Sequence, residues 1–180
     1  MFRFCPACAS SAISFERNRV FRCPECGFVY YHNTAAATGC IICVPDKNAV
    51  VFLVRAKDPA RGKLDFPGGF VDPGEGALEG LRRECLEELG WEAPPDFSFL
   101  ASFPNVYPYK GITYRTCDLF FTISVPGLRE GDFRLEESEI SALRFADPHA
   151  INFDDLAFDS TRRALKAYLE NEEYKMKNAK

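Results

Sequence analysis

No stretch of this 180-residue chain is apolar for long enough to cross a membrane. The opening residues, MFRFCPACAS, lack the apolar run of a secretory signal, so the expected location is the cytoplasm. A large charge imbalance is missing too. The net charge is −4, and the six Glu and two Arg between residues 75 and 92 account for all of it. The rest of the chain is balanced, which argues against nucleic-acid binding by bulk charge and against long RNA contacts. There is no internal repeat and no low-complexity tract. What remains is a globular composition, 47% hydrophobic with 17 Phe, enough for one main domain and a small module.

Eight cysteines without a secretion signal point to metal ligands or core thiols rather than disulfides. Cys5, Cys8, Cys23 and Cys26 make two knuckles, CPAC and CPEC, separated by 14 residues. Four thiolates at this spacing suit tetrahedral Zn²⁺. Residues 1–33 are too short to bury a core of their own, so a metal would hold them together. A redox dithiol pair and a metal-free knuckle are the alternatives. The span between the knuckles predicts a hairpin around Asn18, and the whole module resembles a zinc ribbon. A zinc centre with four thiolates offsets the module's small excess of Arg, which favours a structural or dimer-forming role. With zinc satisfied by four cysteines, His32 is expected to be a surface or linker residue. Cys40, Cys43, Cys85 and Cys117 lie in apolar stretches and are expected to be buried. On a strand Cys40 and Cys43 point to opposite faces, so they cannot clamp one ion.

Residues 30–38, YYHNTAAAT, are expected to link the module to the main domain, 34–175. GCIICV and AVVFLVR then predict a β-hairpin closed by Pro45, Asp46, Lys47 and Asn48. Residues 55–63, RAKDPARGK, form a polar loop whose Arg and Lys suit phosphate, although any one of them reads as a solvated loop charge. FSFLASF predicts a strand, PNVYPYKG a loop and ITYRTCDLFFTISV a long strand. An amphipathic helix is predicted over 158–173, capped by Asp159 or Ser160 and burying Leu165 and Leu169. Residues 176–180 form a polar tail.

The most informative stretch is GGFVDPGEGALEGLRRECLEELGW, residues 68–91. In its helix Glu84, Glu87 and Glu88 share one face, at offsets of three and four. Like charges at those spacings weaken a helix, so the pattern needs a reason, and a divalent cation preferring carboxylate oxygen supplies one. Leu78, Leu81, Cys85 and Leu89 form a stripe about 110° from the carboxylates, so one flank can pack on a sheet while the other lines a cleft. Gly69, Glu75, Arg83, Glu84, Glu87, Glu88 and Gly90 fill every fixed position of G-x5-E-x7-R-E-U-x-E-E-x-G-U, where U is bulky and apolar. Cys85, a mild departure, and Trp91 take the U positions. The chain is therefore identified as resembling the Nudix hydrolases.

That resemblance implies an α/β fold, an α/β/α sandwich with a mixed sheet, and a metal-dependent hydrolase acting on acid anhydrides in phosphorus-containing compounds. Its substrates are nucleoside diphosphates linked to another group, cleaved by water at the pyrophosphate. It implies Glu84 and Glu88 as the main ligands of Mg²⁺ or Mn²⁺, Glu87 as holding a further metal or its water, and the Gly68 carbonyl as a backbone ligand. Glu75 and Arg83 should pair and fix the loop against the helix. Glu139 is the candidate downstream ligand. It stands six residues before Phe145, a spacing similar to that in the NADH pyrophosphatase group, while Glu136 and Glu137 are expected to be solvated.

A zinc ribbon followed by this domain also resembles the NADH pyrophosphatases, which carry S-Q-P-W-P-F-P-x-S after the box. Here Ser102, Pro104 and Pro108 match and Tyr107 replaces Phe, but Phe103, Asn105 and Val106 depart and the last Ser is absent. Tyr107 and Tyr109 remain candidates to stack on a base. The expected substrate is a dinucleotide such as NADH, or an ADP-ribose-like compound, with a capped RNA end as the one nucleic-acid exception. A homodimer is a further expectation of the family. The alternative is a non-catalytic nucleotide-binding sensor with a zinc-ribbon interaction module.

Overall fold

A computed structural model describes residues 2–17 and 19–178. The chain divides into two units, Met1–Thr34 and Ala35–Lys180. In the first, β1 (Ser14–Glu16), β2 (Val20–Arg22) and β3 (Val29–Tyr31) form an antiparallel sheet in that order. The predicted hairpin is β1–β2, and Asn18 in its turn lies outside the described residues. Phe21 is buried beneath the edges of Phe2 and Phe28, a very small core for a separate unit.

The second unit is built on a mixed sheet. Its strands are β4 (Ala35–Val44), β5 (Ala49–Arg55), β6 (Leu64–Asp65), β7 (Ser98–Tyr109), β8 (Ile112–Ser124) and β9 (Ile140–Ala146). The order is β6-β5-β4-β8-β7, with β9 also paired to β5. β4 and β8 run parallel over nine residue pairs, and the other pairings are antiparallel. GCIICV is apolar throughout because β4 is covered on both faces. Cys40, Ile42 and Val44 pack with Leu81, Cys85 and Leu89 of α1 (Ala77–Leu89). Ile41 and Cys43 face Leu165 of α2 (Asp159–Asn178). The two cysteines thus point oppositely, as expected, and helices cover both faces of the sheet. The β4–β5 hairpin closes through a 3₁₀ turn, Pro45–Lys47, with Asn48 left-handed at φ 48°.

Several local expectations need correction. Residues 30–38 are not a plain linker, since β3 and β4 take up most of them. The loop predicted at PNVYPYKG is mostly strand: β7 runs through Pro104 and Pro108 to Tyr109. β7 is an edge strand, where a missing N–H costs no ladder bond on the open side. Cys117 is exposed: alternation puts it on the face of Leu119 and Phe121, but it lies outside their core, whereas Thr116 and Asp118 on the other face are buried. Leu78 is exposed in the first turn of α1, so the buried stripe starts at Leu81. α2 begins at Asp159 and runs to Asn178, placing Asp159 and Ser160 inside its first turn. Residues 179 and 180 of the predicted tail lie outside the described residues. No helix of the described residues is long and apolar enough to cross a membrane.

Candidate active site

The turn from Pro67 to Val71 is clamped onto β4 by three backbone bonds. Thr38 N–H donates to Gly69 O (2.8 Å), Cys40 N–H to Pro67 O (2.9 Å), and Val71 N–H to Ala36 O (3.1 Å). Gly68 has φ +144°, and a Cβ there would lie 2.1 Å from Thr38 O, so only glycine fits. A Cβ on Gly69 would lie 2.5 Å from the Glu84 carboxyl carbon. These two glycines let the turn lie directly on the carboxylate face of α1. Gly90 ends that helix left-handed at φ 57°.

Arg83 ties the turn to the helix. Its Nε and Nη2 donate to the two carboxylate oxygens of Glu75 (2.8 and 3.1 Å). Nη2 also donates to Phe70 O (2.9 Å), and Nη1 to Glu84 (2.8 Å) and Glu87 (3.1 Å). Glu75 accepts in addition from Asp72 N–H (3.0 Å), and its pKa is lowered chiefly by the bidentate bond from Arg83. The pairing expected of Glu75 and Arg83 is present, and it extends to two of the three helix carboxylates.

Glu88 is different. Only 8% exposed, it accepts from Gly68 N–H (2.9 Å) and forms no salt bridge among the described residues. Burial lifts its pKa to about 8, assisted by the negative charges of Glu84, Asp65 and Glu139. Burial also raises Glu84, against the pull of Arg83. The fourth carboxylate, Glu139, lines the same cleft and is ion-paired with Lys57. Glu136 also lines the cleft, but it turns onto Ser138 N–H and Oγ. Gly68, Glu84, Glu87, Glu88 and Glu139 are therefore brought to one cleft of about 920 Å³.

Tyr107 and Tyr109 border the same cleft from β7. The Tyr107 ring lies 5.5 Å from Phe158 and meets Phe70 edge-on at 5.6 Å, forming an aromatic wall. Sequence reasoning missed several residues here. Arg55 bonds Asp65 (3.1 Å) and lies over the Phe158 ring at 5.1 Å, and Asp65 also accepts from Thr161 Oγ1 (2.9 Å). Arg55 and Lys57 were visible as phosphate-suited charges in the polar loop, but only tertiary pairing separates them from its exposed Arg61 and Lys63. Asn105, Thr116 and Asp118 carried no sequence signal as a group.

In the first unit, the Sγ atoms of Cys5, Cys8, Cys23 and Cys26 lie within 4.8 Å of one another. Cys5–Cys26 and Cys8–Cys23 are each 3.6 Å apart, too far for disulfides. Among the described residues these four form the one cluster of three or more Cys, His or acidic ligands at that spacing. The donor set and its convergence suit zinc.

Comparison with known proteins agrees with this geometry. The NUDIX domain model matches residues 33–168. The NAD-capped RNA hydrolase NudC of Chromobacterium violaceum is 29% identical over 150 residues, covering 83% of this chain and 51% of that protein. The chain thus spans about half the length of that relative, and less of the other proteins of that name that it matches. An ADP-ribose pyrophosphatase of Methanocaldococcus jannaschii is 29% identical, covering 78% of this chain and 76% of that one. Among solved structures, a NUDIX hydrolase from Nitrosomonas europaea superposes with TM-score 0.69 at 26% identity, covering 96% of this chain and 93% of that chain. The acidic helix, the glycine turn laid against it and the sandwich that carries both are those of a Nudix domain, and the chain belongs to the Nudix family.

Proposed function

We propose that this chain is a metal-dependent pyrophosphohydrolase cleaving a nucleoside diphosphate linked to another group, with an adenylated compound such as ADP-ribose or NADH as substrate. The observation that carries the proposal is Glu88: a buried carboxylate without a cationic partner among the described residues, beside Glu84, Glu87 and Glu139, in a cleft with an aromatic wall. Such a group is stabilised by a divalent cation, and Nudix enzymes use divalent cations. Glu84, Glu87, Glu88, Glu139 and the Gly68 carbonyl would hold Mg²⁺ or Mn²⁺, which when bound neutralises phosphate charge and acidifies water. Arg83 and Glu75 fix the turn against α1 and so position these oxygens. Lys57, close to Glu139, places a positive charge beside the anionic centre. Tyr107 and Tyr109 offer stacking faces to a base or nicotinamide.

Residues 1–33 form a zinc ribbon whose Zn²⁺ is structural, and 34–175 form the hydrolase domain. The cytoplasm is the proposed compartment, where thiols stay reduced and available to hold zinc. The similarity to NAD-capped RNA hydrolases includes a capped RNA end among the substrates to test, though the balanced charge supports recognition of the cap rather than of a long RNA. The test is a panel of ADP-ribose, NADH, NAD-capped RNA and nucleoside triphosphates with Mg²⁺ or Mn²⁺, identifying both products. Release of AMP together with the second phosphorylated fragment is expected. Failure of every substrate with either metal would overturn the proposal.

A further inference from the structure

The floor of the cleft contains a polar group that the metal site does not use. Thr116 and Asp118 stand two apart on β8, so their side chains share one face of the sheet with Phe120. They are 3% and 8% exposed, and both line the cleft. Across the ladder, β7 places Asn105 opposite Thr116. The Asn105 amide is held in one orientation: its Nδ2 donates to Asp118 Oδ2 (2.9 Å) and its Oδ1 accepts from Val106 N–H (2.9 Å). That leaves Asp118 Oδ1 and Thr116 Oγ1 buried without any hydrogen-bond partner among the described residues, and Asp118 forms no salt bridge there. Thr38 Oγ1 also has no partner among the described residues and Thr38 borders the cleft, but it follows the alternation of Cys40 and Ile42 toward α1, on the face opposite Asp118.

A buried carboxylate accepts hydrogen bonds and cannot donate them, so it repels phosphate and selects a donor on the ligand. The neighbouring hydroxyl can donate to an acceptor beside that donor. On the same face Tyr107 follows Asn105 by two residues and supplies the aromatic wall against which a flat ring can lie. A heterocycle with an exocyclic amine next to a ring nitrogen meets all three requirements. Resting on the proposed adenylated substrate, we infer that Asp118 and Thr116, with Asn105 fixing the carboxylate, read the adenine base through its amine and select it against bases with a carbonyl at that position. Asp118 and Thr116 are then specificity-determining residues, on β8 rather than on the helix that carries the metal carboxylates.

The test compares kcat/KM for ADP-ribose and NADH with those of their hypoxanthine counterparts, in which a carbonyl replaces the amine and the pyrophosphate is unchanged. Binding of AMP and IMP is measured by calorimetry alongside. The wild-type protein should favour the amine at least tenfold, the scale of one hydrogen bond to a buried charge. In Asp118→Asn, whose amide can donate to the carbonyl, the ratio should fall to threefold or less. Equal wild-type values for the two bases, with turnover intact, would overturn the inference and leave the hydrolase reading standing, as would a preference unaltered by Asp118→Asn. If no substrate is turned over, a tenfold tighter affinity for AMP than for IMP would still support the inference while the hydrolase reading failed, and equal affinities would end both. The wild-type ratios need no variant, so poor folding of Asp118→Asn cannot shelter the idea.

Discussion

Glu88→Gln isolates the buried charge on which the proposed chemistry depends. In the wild-type protein without a divalent cation in the cleft, Glu88 holds its proton up to about pH 8, because burial penalises the anion and the nearby Glu84, Asp65 and Glu139 repel it. In the unfolded chain it ionises near 4.5. Below pH 4.5 both states are protonated and Glu88 contributes no pH dependence. Between 4.5 and 8 the unfolded state binds fewer protons, so stability falls as pH rises, and it levels off above 8. A shift of this size corresponds to at most about 5 kcal/mol. Glutamine keeps the acceptor for Gly68 N–H but cannot ionise. With Mg²⁺ and Mn²⁺ removed and zinc retained, the variant should therefore match wild type near pH 5 and exceed it by a few kcal/mol at pH 9, about 5–10 °C in Tm for a chain of this length. Mn²⁺ should reverse the ranking, since binding replaces the proton. Its wild-type affinity should rise up to about tenfold per pH unit and flatten above pH 8, whereas the variant binds weakly throughout. Thermal unfolding followed by circular dichroism across this pH range reads the first effect, and calorimetry in buffers of different ionisation enthalpy reads the released proton. Parallel wild-type and variant curves from pH 5 to 9 would refute the reasoning.

Gly68→Ala should cost about 3 kcal/mol or more and abolish turnover, because its Cβ would collide with backbone at Thr38 O; urea unfolding and initial rates check this. Arg83→Lys should lose at least half of the contacts that join Glu75, Phe70, Glu84 and Glu87, lowering stability by about 2 kcal/mol despite the kept charge, measured by urea titration. The chain should carry one Zn²⁺ by elemental analysis, and its removal should make residues 1–34 protease-sensitive while residues 35–178 persist. In metal-loaded protein, iodoacetamide should modify the exposed Cys117 first, while Cys40 and Cys85, whose thiols burial pushes up, stay unmodified; peptide mass mapping reads the order.

The elements legible in the sequence are those whose information is local. Glu84, Glu87 and Glu88 announce a shared face through helical spacing alone, and CPAC with CPEC announces four converging thiols. GCIICV and AVVFLVR were recognisable as strands because burial on both sides leaves an unbroken apolar run. β7 was harder for a physical reason. Pro104 and Pro108 are loop signals in an isolated segment, and they become acceptable only once the strand is known to lie at a sheet edge. Cys117 failed similarly: its apolar surroundings suggested burial, but the phase of β8 puts it on the face of Leu119 and Phe121, outside the core they share with α1.

The same phase explains why the polar floor of the cleft could not be read. Asn105 and Asp118 are thirteen residues apart, and nothing in PNVYPYK or TYRTCDLF distinguishes them from surface residues. Their meeting depends on the β7–β8 register, which pairs Asn105 with Thr116 and Phe103 with Asp118. A one-residue slip would send Asp118 to the opposite face and bring Cys117 to the cleft. The register is held by apolar contacts at the far end of the ladder, where Phe99 and Phe121 meet edge-on at 5.6 Å and Phe103 lies against Phe120. The departures of this chain from the NADH pyrophosphatase pattern, at Phe103, Asn105 and Val106, fall on this same segment. Phe103 packs on the ladder, Asn105 holds Asp118, and the Val106 N–H orients Asn105. On this reading the altered residues do not degrade a nicotinamide-type motif. They make a different floor, in which the carboxylate selects the base while the glutamates of α1 keep the reaction.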